Sequence, residues 1–210
     1  MALDLEEQEQ VAELQAWWRQ HGRLVVAVIV AAALGFAGWQ AWRIYSQNQA
    51  AQAGGLYDTL LRAAVAGDAK AMKDASGALV EGYPRTLYAS MGALIAARFY
   101  FDRNDLKGAK AQLQFVIERS PSEELHDLAA LRLAGILLDE KAYDEALKTL
   151  DGRHAAAFDA QYAALKGDVL VAKGEPAGAR AAYKLALDKA GAQEAQFRES
   201  VRMRLEALGE

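Results

Sequence analysis

Three histidines, His21, His126 and His154, are the side chains of this 210-residue chain best suited to acid–base or metal chemistry near neutral pH. A zinc site or a proton relay needs such groups in fixed register, as when two histidines share one helix face a turn apart. None of the three stands at ligand spacing from another. The chain has no Cys, which removes disulfides, iron–sulfur clusters, thiolate zinc sites and a cysteine nucleophile together. Asp102 with Asp105 and Asp139 with Glu140 are paired carboxylates, but both pairs flank expected turns and read as solvated. No glycine-rich phosphate loop, His-Glu-x-x-His pair or Gly-x-Ser-x-Gly elbow occurs. His126 follows Glu123 and Glu124 at an expected helix start, where the acids suit the dipole and the imidazole is simply exposed. His154 is expected to end a helix. No catalytic residue, metal site or cofactor follows from these residues, so the function is expected to be one of binding.

The composition narrows the kind of binding. Lys plus Arg number 24 against 28 for Asp plus Glu, a net charge of −4, which argues against a surface for nucleic acid. Apolar residues make up 53% of the chain, too many for a disordered acidic tail. With 46 Ala and only three Pro, the backbone is expected to be helical throughout.

One segment stands apart. Leu24 to Trp42, LVVAVIVAAALGFAGWQAW, is nineteen residues without a charge. As a helix it is about 28 Å long, close to the hydrocarbon thickness of a bilayer. Arg23 and Arg43 bracket it, Trp17 and Trp18 precede it, and Trp39, Trp42 and Tyr45 occupy its far end. Amphipathic rings and basic side chains gain most at the membrane–water boundary, so these seven residues are expected at the two interfaces. A cleaved signal peptide fits poorly, because the first 23 residues carry five acids and only Arg19 and Arg23. An uncleaved signal-anchor is expected instead, and the slight excess of basic residues before the span places the N-terminus inside.

Around the span, residues 1–23 form an amphipathic N-terminal segment and 43–55 a polar juxtamembrane linker that could extend the helix until Gly54-Gly55 interrupts it. Residues 56–210 form the soluble domain. There, breaks at Gly67-Asp68, Gly82-Tyr83-Pro84, Asn104-Asp105, Ser120-Pro121, Glu140-Lys141, Gly152 and Gly174-Glu175-Pro176 separate helix-length stretches. Three units align: Ala93 to Pro121, Ala130 to Arg153 and Ala163 to Leu187. In register, Ala97, Ala134 and Gly167 stand where helices cross, followed by Tyr100, Leu137 and Leu170. After the turn come Ala109, Ala146 and Ala179, then Leu113, Leu150 and Tyr183. The spacings of 37 and 33 bracket the roughly 34 residues of a tetratricopeptide repeat. Small side chains let antiparallel helices approach, and the larger ones fill the groove between pairs. Leu56 to Val80 resembles a more worn pair. Phe197, Val201, Leu205 and Leu208 share one face of a last helix, as a solenoid cap requires. The expected fold is all-α: a single transmembrane helix followed by a degenerate tetratricopeptide-repeat solenoid.

In such arrays the first helix of each pair lines a concave surface. That geometry puts Leu94, Arg98 and Phe101 from the first unit, Leu131 and Leu138 from the second, and Gln161, Asp168 and Val171 from the third on the expected binding face. The large apolar members suit a peptide segment or a partner helix.

The order of these parts resembles one bacterial family, the ancillary SecYEG translocon subunits. The similarity lies in EQVAELQAWWRQHGR ahead of the span, GFAGWQAW at its end, AKAQLQFVIERSPSEELHDLAALRLAGILLDEKAYDEALKTLDG and the late KGEPAGARAAY. The resemblance implies an inner-membrane protein with a cytoplasmic N-terminus and a periplasmic helical domain. It further implies association with the SecYEG translocon and the periplasmic chaperone PpiD, and help in passing newly secreted proteins to periplasmic chaperones. An envelope scaffold organising a cell-division or outer-membrane assembly complex is the alternative that the residues leave open.

Overall fold

The computed structural model describes the backbone of residues 2–209 and the side chains of residues 10–209. All regular structure among the described residues is helical: α1 (Ala2–Ala66), α2 (Ala69–Gly82), α3 (Leu87–Phe101), α4 (Leu106–Arg119), α5 (Glu123–Asp139), α6 (Tyr143–Leu150), a 3-10 turn (Ala156–Phe158), α7 (Asp159–Lys173), α8 (Pro176–Lys189) and α9 (Ala195–Glu206). The chain divides into two compact units, one up to Asn48 and one from Gln49 onward. Asp4, Glu6, Glu7 and Glu9, which carry much of the polarity expected of the N-terminal segment, lie outside the residues with described side chains.

In the first unit the apolar stretch is a helix with its side chains outward. Leu24, Val26, Val28, Ile29, Leu34 and Phe36 are each about half exposed or more. Among the described residues their hydrophobicity is not used to build a protein core, and the helix is long and apolar enough to cross a membrane.

The second unit repeats a helical hairpin. Each hairpin turns on one residue with a left-handed backbone: Gly67 (φ 68°), Asn104 (φ 61°), Lys141 (φ 62°) and Gly174 (φ 84°). After each, an amide reaches back five residues across the helix end, Asp68 to Ala63, Asp105 to Tyr100, Ala142 to Leu137 and Glu175 to Leu170, at 2.8–3.0 Å. This is the Schellman closure that satisfies carbonyls left over at a helix C-terminus. The left-handed residues follow one another at the spacings of the sequence repeat, so Leu56–Val80 closes a leading hairpin in the same register as the first, second and third, which are α3–α4, α5–α6 and α7–α8. Lys141 adopts this conformation at a cost of about 1 kcal/mol relative to Gly, because its Cβ crowds the following carbonyl.

Second helices start in step as well. Asp68 accepts from the amides of Lys70 and Ala71, and Asp105 from Gly108, capping α2 and α4. Pro176 opens α8, where its fixed φ suits the first turn. Between neighbouring hairpins lie successive parts of one core. Ala53, Leu60, Met72, Leu79, Ala89 and Ala96 fill the first part, Ala97, Ala109, Leu113 and Val116 the second, Ala134, Leu137, Ala146 and Val169 the next, and Ala179, Tyr183, Ala186 and Val201 the last.

One expectation needs correction, and one element departs from the repeat. Residues 43–55 are helical throughout, and Gly54-Gly55, expected to interrupt the helix, does not break α1. Ala53 and Leu60, both fully buried, anchor this stretch against α2 and α3, and that packing outweighs the poor helix propensity of two glycines. The second difference is in α6. It begins in register with α4 and α8 but has 8 residues against 14 in each of them. Asp151 and Gly152 follow it as a turn, and a loop carries the chain to the short 3-10 helix.

Candidate partner-binding face and membrane anchor

The first helices α3, α5 and α7 supply the expected binding face, and the structure divides it in two. On α3, Arg98 and Phe101 are exposed. Leu94 is not: it is 6% exposed and packs with Ala93, Ala97 and Ile136, because α5 approaches α3 on that side. Leu131 and Leu138 are half-buried against the cluster of Ala134, Leu137, Tyr162 and Val169, so they are shared between face and core. Sequence reasoning missed Arg132, Gly135, Ile136 and Asp139 of α5, which with Ala97, Arg98, Phe101 and Leu113 line an apolar depression of about 260 Å³. The signal was available: stepping 37 residues from Arg98 lands on Gly135.

On α7 the chain consumes its own face. Asp168 accepts a hydrogen bond from the Tyr183 hydroxyl (2.7 Å) and pairs with Arg204 of α9 (2.8 Å). Burial, followed by the bond to Asp168, holds the Tyr183 phenol above its ordinary range. Gln161 is half-buried, and its Nε2 donates to Glu194 Oε1 at 3.4 Å. Both residues were expected to meet a partner; instead they tie the third hairpin to the C-terminal segment. Val171 alone of that group is exposed.

The two histidines of the repeat region come together in a way the spacing concealed. His126 Nδ1 lies 2.8 Å from Asp127 Oδ1, and Asp127 is 1% exposed. The other carboxylate oxygen accepts from the amide of Ala155 (2.9 Å), which staples the loop after α6 to the start of α5. The Tyr162 hydroxyl donates to the Asp127 carbonyl, and burial together with the nearby carboxylate pushes that phenol up. His154 stacks on the Tyr162 ring with centroids 3.9 Å apart. His126 was expected as a plain exposed residue, and it is a partner of a buried acid. His154 was expected to end a helix and sits in the loop four residues beyond one. These residues border a groove of about 1180 Å³ between α4 and α6, opened where α6 stops early.

Along the anchor, Trp17, Trp18, Arg23, Trp39, Trp42, Arg43 and Tyr45 are exposed. The Arg43 guanidinium lies 5.6 Å from the Trp39 ring centroid, and Trp42 and Tyr45 are 6.1 Å apart. Trp17 stacks on His21 at 5.4 Å. From Arg23 to Arg43 the helix rises about 30 Å, the thickness of a hydrocarbon core.

A long apolar helix joined to register-matched hairpins defines a tetratricopeptide-repeat-like protein with a candidate membrane span. The tetratricopeptide repeat-like domain family matches residues 15–210, both parts together. Similar proteins named ancillary SecYEG translocon subunit occur in Neisseria gonorrhoeae, 32% identical over 99% of this chain and 100% of that one, and in Haemophilus influenzae, 31% identical over 94% and 96%. A further one, from Escherichia coli, is 28% identical over 85% of each chain. This chain belongs to the ancillary SecYEG translocon subunit family. No solved structure matches it.

Proposed function

We propose that the protein is a single-pass inner-membrane subunit that works beside the SecYEG translocon. Its N-terminus is cytoplasmic and its repeat domain periplasmic. The domain binds the periplasmic chaperone PpiD or emerging secreted proteins and assists their transfer to periplasmic chaperones. The observation that carries this reading is the match along nearly the whole chain, anchor and repeats together, to relatives bearing the translocon-subunit name. Physically, an anchor confines the repeats to the membrane surface, and tethering turns a weak affinity into an effective one through local concentration. The face on α3 and α5 supplies exposed apolar area with adjoining charge, which suits protein segments.

Three measurements test this. A reporter active only in the periplasm, fused after Glu210, is expected to be active, and silence would reverse the orientation. A photo-crosslinker within the anchor is expected to recover translocon subunits, and recovery of cell-wall or outer-membrane assembly proteins alone would favour the scaffold reading. Aspartate at Leu131 and Leu138 is a poor way to disable the face, since both pack partly into the core. Phe101→Asp, at an exposed position, is expected to lower partner capture while melting temperature holds.

A further inference from the structure

The open half of the binding face carries a pattern of its own. Beside the depression floored by Ala97, Leu113 and Ile136 lies a second one, lined by Tyr57, Met91, Leu94, Ile95 and Phe99. Arg98 and Arg132 line both, so these two residues form the wall that the two hollows share. The charged groups around them are Asp102 and Arg103 on one side and Asp139 on the other.

These groups do not cancel. Arg98 pairs with Asp102 at 2.9 Å, but its side chain is 72% exposed and the pair is a local one on the helix surface. Such pairs hold weakly and exchange readily for a better acceptor. Arg103 points elsewhere, donating to the carbonyls of Gly67 and Phe99 over the Phe99 ring. Arg132 is exposed and pairs with no carboxylate among the described residues. Of the two guanidiniums shared by the hollows, one is held only by an exposed pair and the other by no carboxylate among the described residues, on a chain whose net charge is −4. A guanidinium binds carboxylates through two parallel hydrogen bonds, which gives direction as well as charge.

The first hollow, about 260 Å³, has room for one large side chain and lies below the range usual for a drug-sized ligand. In an extended chain, alternate side chains point to the same side about 6.5–7 Å apart. An apolar, a basic and an apolar site in that order suit residues i, i+2 and i+4 of an extended segment, which all project to one side. We propose that the face formed by α3 and α5 reads an extended segment of a partner protein with the pattern large apolar–x–acidic–x–large apolar, its carboxylate held by Arg98 and Arg132. This rests on the reading of that face as the partner-binding surface and adds the chemistry of the occupant.

The probe is a fluorescein-labelled peptide, Ser-Phe-Ser-Glu-Ser-Leu-Ser, titrated against the full chain in nanodiscs by fluorescence anisotropy. It is expected to bind at least tenfold more tightly than its Gln counterpart, and more weakly as salt rises. Arg98→Gln with Arg132→Gln is expected to erase that preference while leaving helical content unchanged, and Phe101→Ser to weaken both peptides. Equal affinity for the Glu and Gln peptides, binding of neither, or a preference that survives the double arginine variant would overturn the proposal. A photo-crosslinker at Phe101 in native membranes separates the two levels. Adducts there alongside equal peptide affinities leave the face in use and remove its acidic preference, whereas no adduct at Phe101 removes both.

Discussion

The second and third hairpins begin from the same plan and are closed by opposite means. In the third, α7 and α8 meet so closely that a Cβ on Gly167 would lie 2.4 Å from the Tyr183 ring. In the second, Ala134 occupies the equivalent place, fully buried, and α6 stops too early to cover the start of α5. A buried carboxylate does the closing there: Asp127 holds the following loop by its amide and engages His126. Close packing is non-directional and tolerates little change in volume, whereas a polar staple spans a gap but depends on every partner being present. A repeat can therefore lose almost half of one helix without losing its place in the stack.

The sharpest way to break this comparison is Gly167→Val. The added side chain has no room before the Tyr183 ring, and a loss of about 3 kcal/mol is expected from overpacking. Denaturant unfolding followed by circular dichroism measures it, and an unchanged midpoint would show that the third hairpin is looser than its geometry. Asp127→Ala comes next. It leaves the Ala155 amide without its acceptor, at an expected cost of about 2 kcal/mol. Hydrogen exchange should quicken between residues 151 and 158 while α7 and α8 stay protected.

The smallest effect is in alkali and concerns both hairpins. Tyr162 and Tyr183 have phenol pKa values raised above the ordinary value of 10.0. Below that value both folded and unfolded chains keep these protons, and the contribution of the two groups to stability is complete. As pH rises beyond it, the unfolded chain ionises first, so stability declines until the folded phenols also titrate. In an ultraviolet titration of the folded protein, Tyr162→Phe and Tyr183→Phe should each remove a late-ionising fraction of the tyrosine signal. Loss of an early fraction instead would contradict the burial of that phenol.

Much of this was legible in the residues. Four of the expected breaks, at Gly67-Asp68, Asn104-Asp105, Glu140-Lys141 and Gly174-Glu175, are the hairpin turns; in three of them a left-handed residue is followed by a capping acid or, one residue on, a proline, which is local chemistry. The apolar span was equally plain, since charge-free length is a one-dimensional property. Gly54-Gly55 misled for the opposite reason: whether glycines break a helix depends on what packs beside them, and that is decided by α2 and α3. Asp127 was hidden because an acid beside two glutamates reads as surface. Its position three residues before Ala130 and seven before Ala134, on the same buried stripe, was the available clue. Gln161 and Asp168 were placed on the correct helix, but their use by Glu194 and Arg204 belongs to a contact more than thirty residues away.

The last helix carries a consequence of its own. Val201 is fully buried against the third hairpin, Arg198 donates to the carbonyls of Leu187 and Ala190, and Arg180 donates to that of Leu208. Stacked hairpins are head-to-tail by construction, and a head-to-tail contact that does not close into a ring grows without limit. With Arg198, Arg202 and Arg204 on its other sides, α9 occupies the apolar side of α7 and α8 on which another hairpin would stack, so that side is spent within the molecule and is not offered to a second copy.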